Sequence, residues 1–117
     1  MPTTLFIYGT LHPDRAPREI AAAAHRLTSM GAATIQARIH NLGEYPGAIL
    51  DPTAPPIPGE LFMVPDAETL AALDAYEDFR PTDPASSLFL RVKTIATTPD
   101  GSPHPCWVYI YNREPTH

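Results

Sequence analysis

Cysteine occurs once, at Cys106. A single cysteine excludes an intrachain disulfide and any cysteine-rich zinc site. Cys106 falls in a strand-like apolar run and reads as a buried, inert thiol rather than a nucleophile. Basic residues are also few, with eight Lys and Arg against thirteen Asp and Glu, and they do not cluster. The formal net charge of −5 argues against nucleic acid as a partner. No apolar run approaches the roughly 20 residues needed to span a bilayer, so no membrane is expected. The basic-then-apolar layout of a signal peptide is missing, since Pro2, Thr3 and Thr4 precede only a short apolar stretch. A cytoplasmic location is the resulting expectation. The five histidines (His12, His25, His40, His104 and His117) have no metal-ligand spacing. HExxH, GxGxxG, P-loop and GxSxG motifs are absent, so no metal site is expected.

What is present suits one compact domain spanning 1–117. Proline is frequent, at 15, but scattered among turn-like sites, which indicates stiff loops rather than a linker. Residues 3–8 read as a buried strand that stops at Gly9. A strand that breaks at glycine before a helix leaves backbone N–H groups free, a natural cradle for an anion. An ordinary first strand with a glycine turn fits the same pattern. Asp14 is placed to cap an alanine-rich helix over about Arg15–Arg26, with His25 near its end. Ser29-Met30-Gly31 reads as a turn. Ala33–Leu42 alternates as a long strand, 43–47 is a loop holding Tyr45, and 48–50 is a short strand. Residues 51–56 read as a proline-rich turn, and 59–64 as a strand. Asp66 caps a second helix over 67–77. Strands over 88–97 and 106–111 flank an Asp-Gly turn. The order β-α-β-β-β-α-β-β predicts an α+β domain: a small mixed, barrel-like sheet with two flanking helices.

The second helix holds the residue of greatest chemical interest. Leu70, Leu73 and Glu77 follow i, i+3, i+7 and share a face. Glu77 therefore extends an apolar stripe at the helix C-terminus. Burial and the negative end of the helix dipole both disfavour its charged form, which suits a general base near neutral pH. A frayed, solvated last turn is the alternative that spacing leaves open. Asp74 and Asp78 flank Glu77 and read as solvent-side residues, though Asp74 also sits at i+4 from Leu70. On the last strand Trp107, Tyr109 and Tyr111 share one face, and Cys106, Val108 and Ile110 the other. That aromatic face is either core or, through Tyr109 or Tyr111, a source of hydroxyls for a cavity. Tyr45, between two glycines, is a loop plug or a pocket wall.

These residues together resemble the γ-glutamylcyclotransferase-like family, which includes the γ-glutamylamine cyclotransferases. The resemblance rests on the order and spacing of Tyr8-Gly9-Thr10-Leu11, Leu42–Gly47, Gly59-Glu60-Leu61-Phe62, Leu73–Glu77, Ser87–Val92 and Trp107–Tyr111. It implies a small mixed β-barrel with flanking helices. It also implies a cyclisation in which the α-amine of a γ-glutamyl group attacks its own γ-carbonyl, releasing 5-oxoproline. Tyr8, Gly9, Thr10 and Leu11 would then form the substrate loop, with Tyr45 and Tyr109 beside it and Glu77 as the acid/base. The partner is a small γ-glutamyl substrate, and no cofactor is implied. Phe89 stands where family members often carry Tyr, and Arg91 reads as a surface strand residue. A non-catalytic small-ligand binding module on the same fold is the alternative.

Overall fold

The apolar run near the start of the chain forms β1 (Thr3–Ile7), and its alternation sets the architecture. Leu5 and Ile7 join one apolar cluster and Phe6 joins another, with all three buried. A strand buried on both faces needs two cores. The structure, a computed structural model, describes residues 3–8, 16–41 and 46–112.

After β1 come α1 (Arg18–Ala24), β2 (Thr28–Asn41), β3 (Pro46–Leu50) and β4 (Pro56–Val64). Then follow α2 (Ala67–Tyr76), a 3₁₀ turn (Pro84–Ser86), β5 (Phe89–Thr97) and β6 (Pro103–Tyr111). The sheet order is β3-β2-β4-β1-β6-β5, and a β2–β5 pairing at Thr34 and Thr97 closes it. Five strands thus form a closed mixed barrel, with β3 added on the outer side of β2. The β1–β6 pair is parallel, whereas the other pairs are antiparallel. The expected α+β barrel with two flanking helices is the fold observed.

The barrel interior collects Phe6, Ala33, Ile35, Ala37, Ala48, Leu61, Ala96, Cys106 and Val108. Four alanines beside one phenylalanine suit a narrow lumen that side chains must fill. Gly59 belongs to the same fit. A Cβ placed there would collide with the Phe6 ring and lie 2.7 Å from the Ile7 carbonyl oxygen. The second core lies between barrel and helices and contains Leu5, Ile7, Ile20, Ala23, Leu27, Phe62, Val64, Leu73, Phe89 and Tyr109. Phe89 is packed in this layer, edge-on to Tyr111 with ring centroids 5.8 Å apart. Cys106 is the buried thiol expected, and burial pushes its pKa up to about 11.

Several boundaries differ from the sequence expectation. Helix α1 is shorter and starts after Pro17; Asp14 lies outside the described residues. Ser29-Met30-Gly31 is not a turn but a bulge inside β2, where Gly31 takes φ +105°. Strands β4 and β6 both begin in proline-rich sequence. Pro56 and Pro58 pair only with β2, since β1 meets β4 from Glu60 onward. Pro103 and Pro105 pair only with β5, since β1 meets β6 at Trp107 and Val108. Each proline thus sits where its strand has one neighbour and its missing N–H can face the unpaired side.

Candidate active site

Helix α2 begins as its sequence predicts. Asp66 Oδ1 accepts from the Thr69 N–H at 2.8 Å, which fixes the first turn. The helix ends in a paired-turn cap. The Asp78 N–H donates to the Ala75 carbonyl at 3.2 Å and the Phe79 N–H donates to the Asp74 carbonyl at 2.9 Å. Asp78 takes φ +56°, the left-handed position normally given to glycine. Glu77 is the C-cap residue of this motif. Its last turn is therefore locked, and the frayed alternative does not hold.

Glu77 is half-buried and its carboxylate accepts no hydrogen bond among the described residues. Burial, without a compensating partner, raises its pKa from 4.5 to about 7. Its charge is close enough to two phenols, Tyr8 and Tyr109, to disfavour their ionisation. Burial is the larger cause in both phenols, and both are pushed well above the usual tyrosine range.

Tyr8 continues β1 toward the barrel rim. Its hydroxyl donates to the Tyr109 carbonyl at 2.7 Å and accepts from the Ala48 N–H at 3.1 Å. One phenol thus ties the end of β1 to β6 and to β3. The Tyr109 hydroxyl points the other way and donates to Asp74 Oδ1 at 2.6 Å. Arg91, across from Tyr109 in the β5–β6 register, reaches the same carboxylate. Its Nε donates to Asp74 Oδ1 at 2.8 Å and its Nη2 donates to Oδ2 at 3.2 Å. The guanidinium also lies over the Trp107 ring at 4.7 Å and the Phe79 ring at 5.5 Å.

Two readings are corrected here. Asp74 is not a solvent-side residue but is 6% exposed and doubly partnered. Arg91 is not a simple surface residue, because its side chain is 15% exposed and fixed by a forked ion pair. Helical spacing could have raised Asp74, which is i+4 from Leu70. Nothing local in the sequence names Arg91 and Tyr109 as its partners. The structure brings Glu77, Tyr8 and Tyr109 into one neighbourhood. Gly9, Thr10, Leu11 and Tyr45 lie outside the described residues. Among the described residues no cluster of His, Cys, Asp and Glu could hold a metal ion, and no helix is long and apolar enough to cross a membrane.

A family model described as gamma-glutamyl cyclotransferase, AIG2-like, matches residues 5–117. The chain belongs to this family. Solved structures of the AIG2-like fold agree with the barrel. An AIG2-like protein from Mus musculus is 20% identical with a TM-score of 0.73, covering 97% of this chain and 80% of that one. A structure described as a gamma-glutamyl cyclotransferase is 15% identical with a TM-score of 0.68, covering 95% of this chain and 67% of that one. A protein from Arabidopsis thaliana is 15% identical with a TM-score of 0.70, covering 96% and 63%. At such identities the likeness concerns the fold. No curated protein matches the sequence.

Proposed function

We propose that this chain is a γ-glutamyl cyclotransferase that releases 5-oxoproline from a small γ-glutamyl amine or amide. The observation that carries the reading is Glu77: a locked, half-buried carboxylate with a pKa near 7, beside Tyr8 just after β1. Membership of the cyclotransferase-like family supports the reaction class.

The chemistry follows from what such a carboxylate can do. The α-ammonium of a γ-glutamyl group must lose a proton before it can attack. Glu77 takes that proton. The freed amine nitrogen bonds to the γ-carbonyl carbon, closing a five-membered lactam. Glu77 gives its proton to the leaving nitrogen as the bond from that carbon breaks. It then takes the second proton from the ring nitrogen, which leaves a neutral lactam N–H, and passes it to the departing amine, which leaves as an ammonium. The nucleophile and electrophile belong to one molecule, so holding a single conformer supplies much of the rate. That task falls to the loop Tyr8, Gly9, Thr10 and Leu11, whose backbone N–H groups would receive the substrate carboxylate or the developing oxyanion. Tyr45 and Tyr109 complete the proposed enclosure. The reaction needs no metal or cofactor, and its setting is the cytoplasm.

The experiment is a screen. Purified protein is incubated with a panel of γ-glutamyl amines and γ-glutamyl amino acids, and 5-oxoproline is measured. The expected result is 5-oxoproline from at least one member. Saturable binding of these compounds with no product from any of them would favour a binding module instead.

A further inference from the structure

Asp74 lies one helical turn before Glu77, on the same helix, and holds two groups from the barrel wall. Those groups, Arg91 on β5 and Tyr109 on β6, are register partners on one sheet face. Both reach Asp74 Oδ1, and Arg91 closes a second contact to Oδ2. Tyr109 also accepts, through its backbone carbonyl, the hydroxyl of Tyr8. A continuous chain of contacts thus runs from Tyr8, just after β1, through Tyr109 and Asp74, to the helix turn that carries Glu77. We propose that Asp74 and Arg91 are positioning residues for Glu77: their ion pair clamps the last turn of α2 to β5 and β6 and so fixes the carboxylate against the barrel rim. This inference rests on the cyclotransferase reading for its consequence in turnover, but not for its consequence in geometry.

The clamp costs desolvation that an apolar pair would avoid. What it supplies is direction. A forked guanidinium–carboxylate pair accepts one geometry, and stacking on Trp107 and Phe79 holds the guanidinium still. The Glu77 carboxylate accepts no hydrogen bond among the described residues, and its backbone N–H donates to the Leu73 carbonyl, so its place is set through the helix. The charged and titratable groups around it come from each packed element. Tyr8 faces it from just after β1 and Tyr109 from β6. Arg91 on β5 is neutralised by Asp74. Arg26, just after α1, reaches Thr69 in the first turn of α2. Glu60 on β4 accepts from the Ser29 hydroxyl, and the Asp78 side chain makes a long, exposed contact with Arg80.

The test uses Asp74→Asn, which keeps shape and still accepts from Tyr109 but loses the charge facing Arg91. The first readout is the titration of the Glu77 side-chain carboxyl by carbon NMR, which needs no substrate. Releasing the turn exposes Glu77 to water and leaves Arg91 unpaired, and both effects lower its midpoint. The expected fall is about one pH unit or more. The second readout is turnover, with kcat falling about tenfold or more while KM stays within about threefold. Tyr109→Phe and Arg91→Lys should move both readouts the same way by less, and they carry the test if Asp74→Asn fails to fold. A Glu77 midpoint and kcat unchanged in a folded Asp74→Asn protein would overturn the positioning role. If the unaltered protein turns over no γ-glutamyl compound, the function reading fails by itself. The titration then decides the clamp alone, an unchanged midpoint counting against it.

Discussion

Tyr8 donates its phenolic proton to the backbone carbonyl of Tyr109 at 2.7 Å, across the parallel β1–β6 seam. The same oxygen accepts the Ala48 N–H, so one side chain satisfies a carbonyl on β6 and an amide on β3. Tyr8→Phe strips both partners in a largely buried place. The expected loss is about 1–3 kcal/mol of stability, read as a lower urea midpoint with an unchanged slope. A variant as stable as the parent would show that water replaces the phenol.

Gly59 faces Phe6 too closely for any side chain. The nearest atoms include a backbone oxygen, which cannot swing aside as a side chain could. Gly59→Ala should therefore cost about 1–3 kcal/mol through overpacking, visible as a lowered melting temperature. A neutral result would mean that β1 and β4 separate without penalty.

Asp78 pays a conformational cost at the end of α2, since φ +56° is a glycine-like angle. Its contact with Arg80 is exposed and long, at 3.4 Å, and is worth little. Asp78→Gly should raise stability by about 0.5–1 kcal/mol and leave Glu77 in place. Thermal melts of the two proteins check this, and a destabilised variant would indicate that the Asp78 side chain matters more than its backbone.

Glu77 links stability to pH. Its folded pKa, about 7, exceeds the ordinary value of 4.5. Between those values the folded state binds more protons than the unfolded one, so stability falls as pH rises. The penalty is absent below the ordinary value, develops through that window and is complete above about 7. Its size is on the order of 2–3 kcal/mol. Glu77→Gln should flatten this part of the profile and stabilise the protein at pH 8 while changing little at pH 4. Parallel denaturation curves at several pH values read the difference. A profile unaltered by the substitution would place Glu77 in water.

The architecture was legible because its signals are local. Asp66 before α2, the alternation of Cys106–Tyr111 and the stripe ending at Glu77 each depend on residues a few positions apart. The turn read at 29–31 and the late starts of β4 and β6 failed for one shared reason. Glycine and proline punctuate a chain, but a bulge or a strand with one neighbour tolerates them, and neighbours are a property of the closed barrel. The same limit hid the clamp. Asp74 looks like any helix carboxylate until Arg91, 17 positions on, and Tyr109, 35 positions on, arrive from the sheet. Glu77 was readable because its reason for being buried lies on its own helix.

In the proposed γ-glutamyl cyclisation Glu77 moves the proton. The direct measurement is 5-oxoproline release by the parent protein and by Glu77→Gln, on the same γ-glutamyl substrate at pH 8. Glutamine keeps the shape and cannot take the ammonium proton, so release should drop by about 100-fold or more. The parent rate should also rise with pH through about 7, as Glu77 loses its proton. Release by Glu77→Gln at the parent rate would contradict the account.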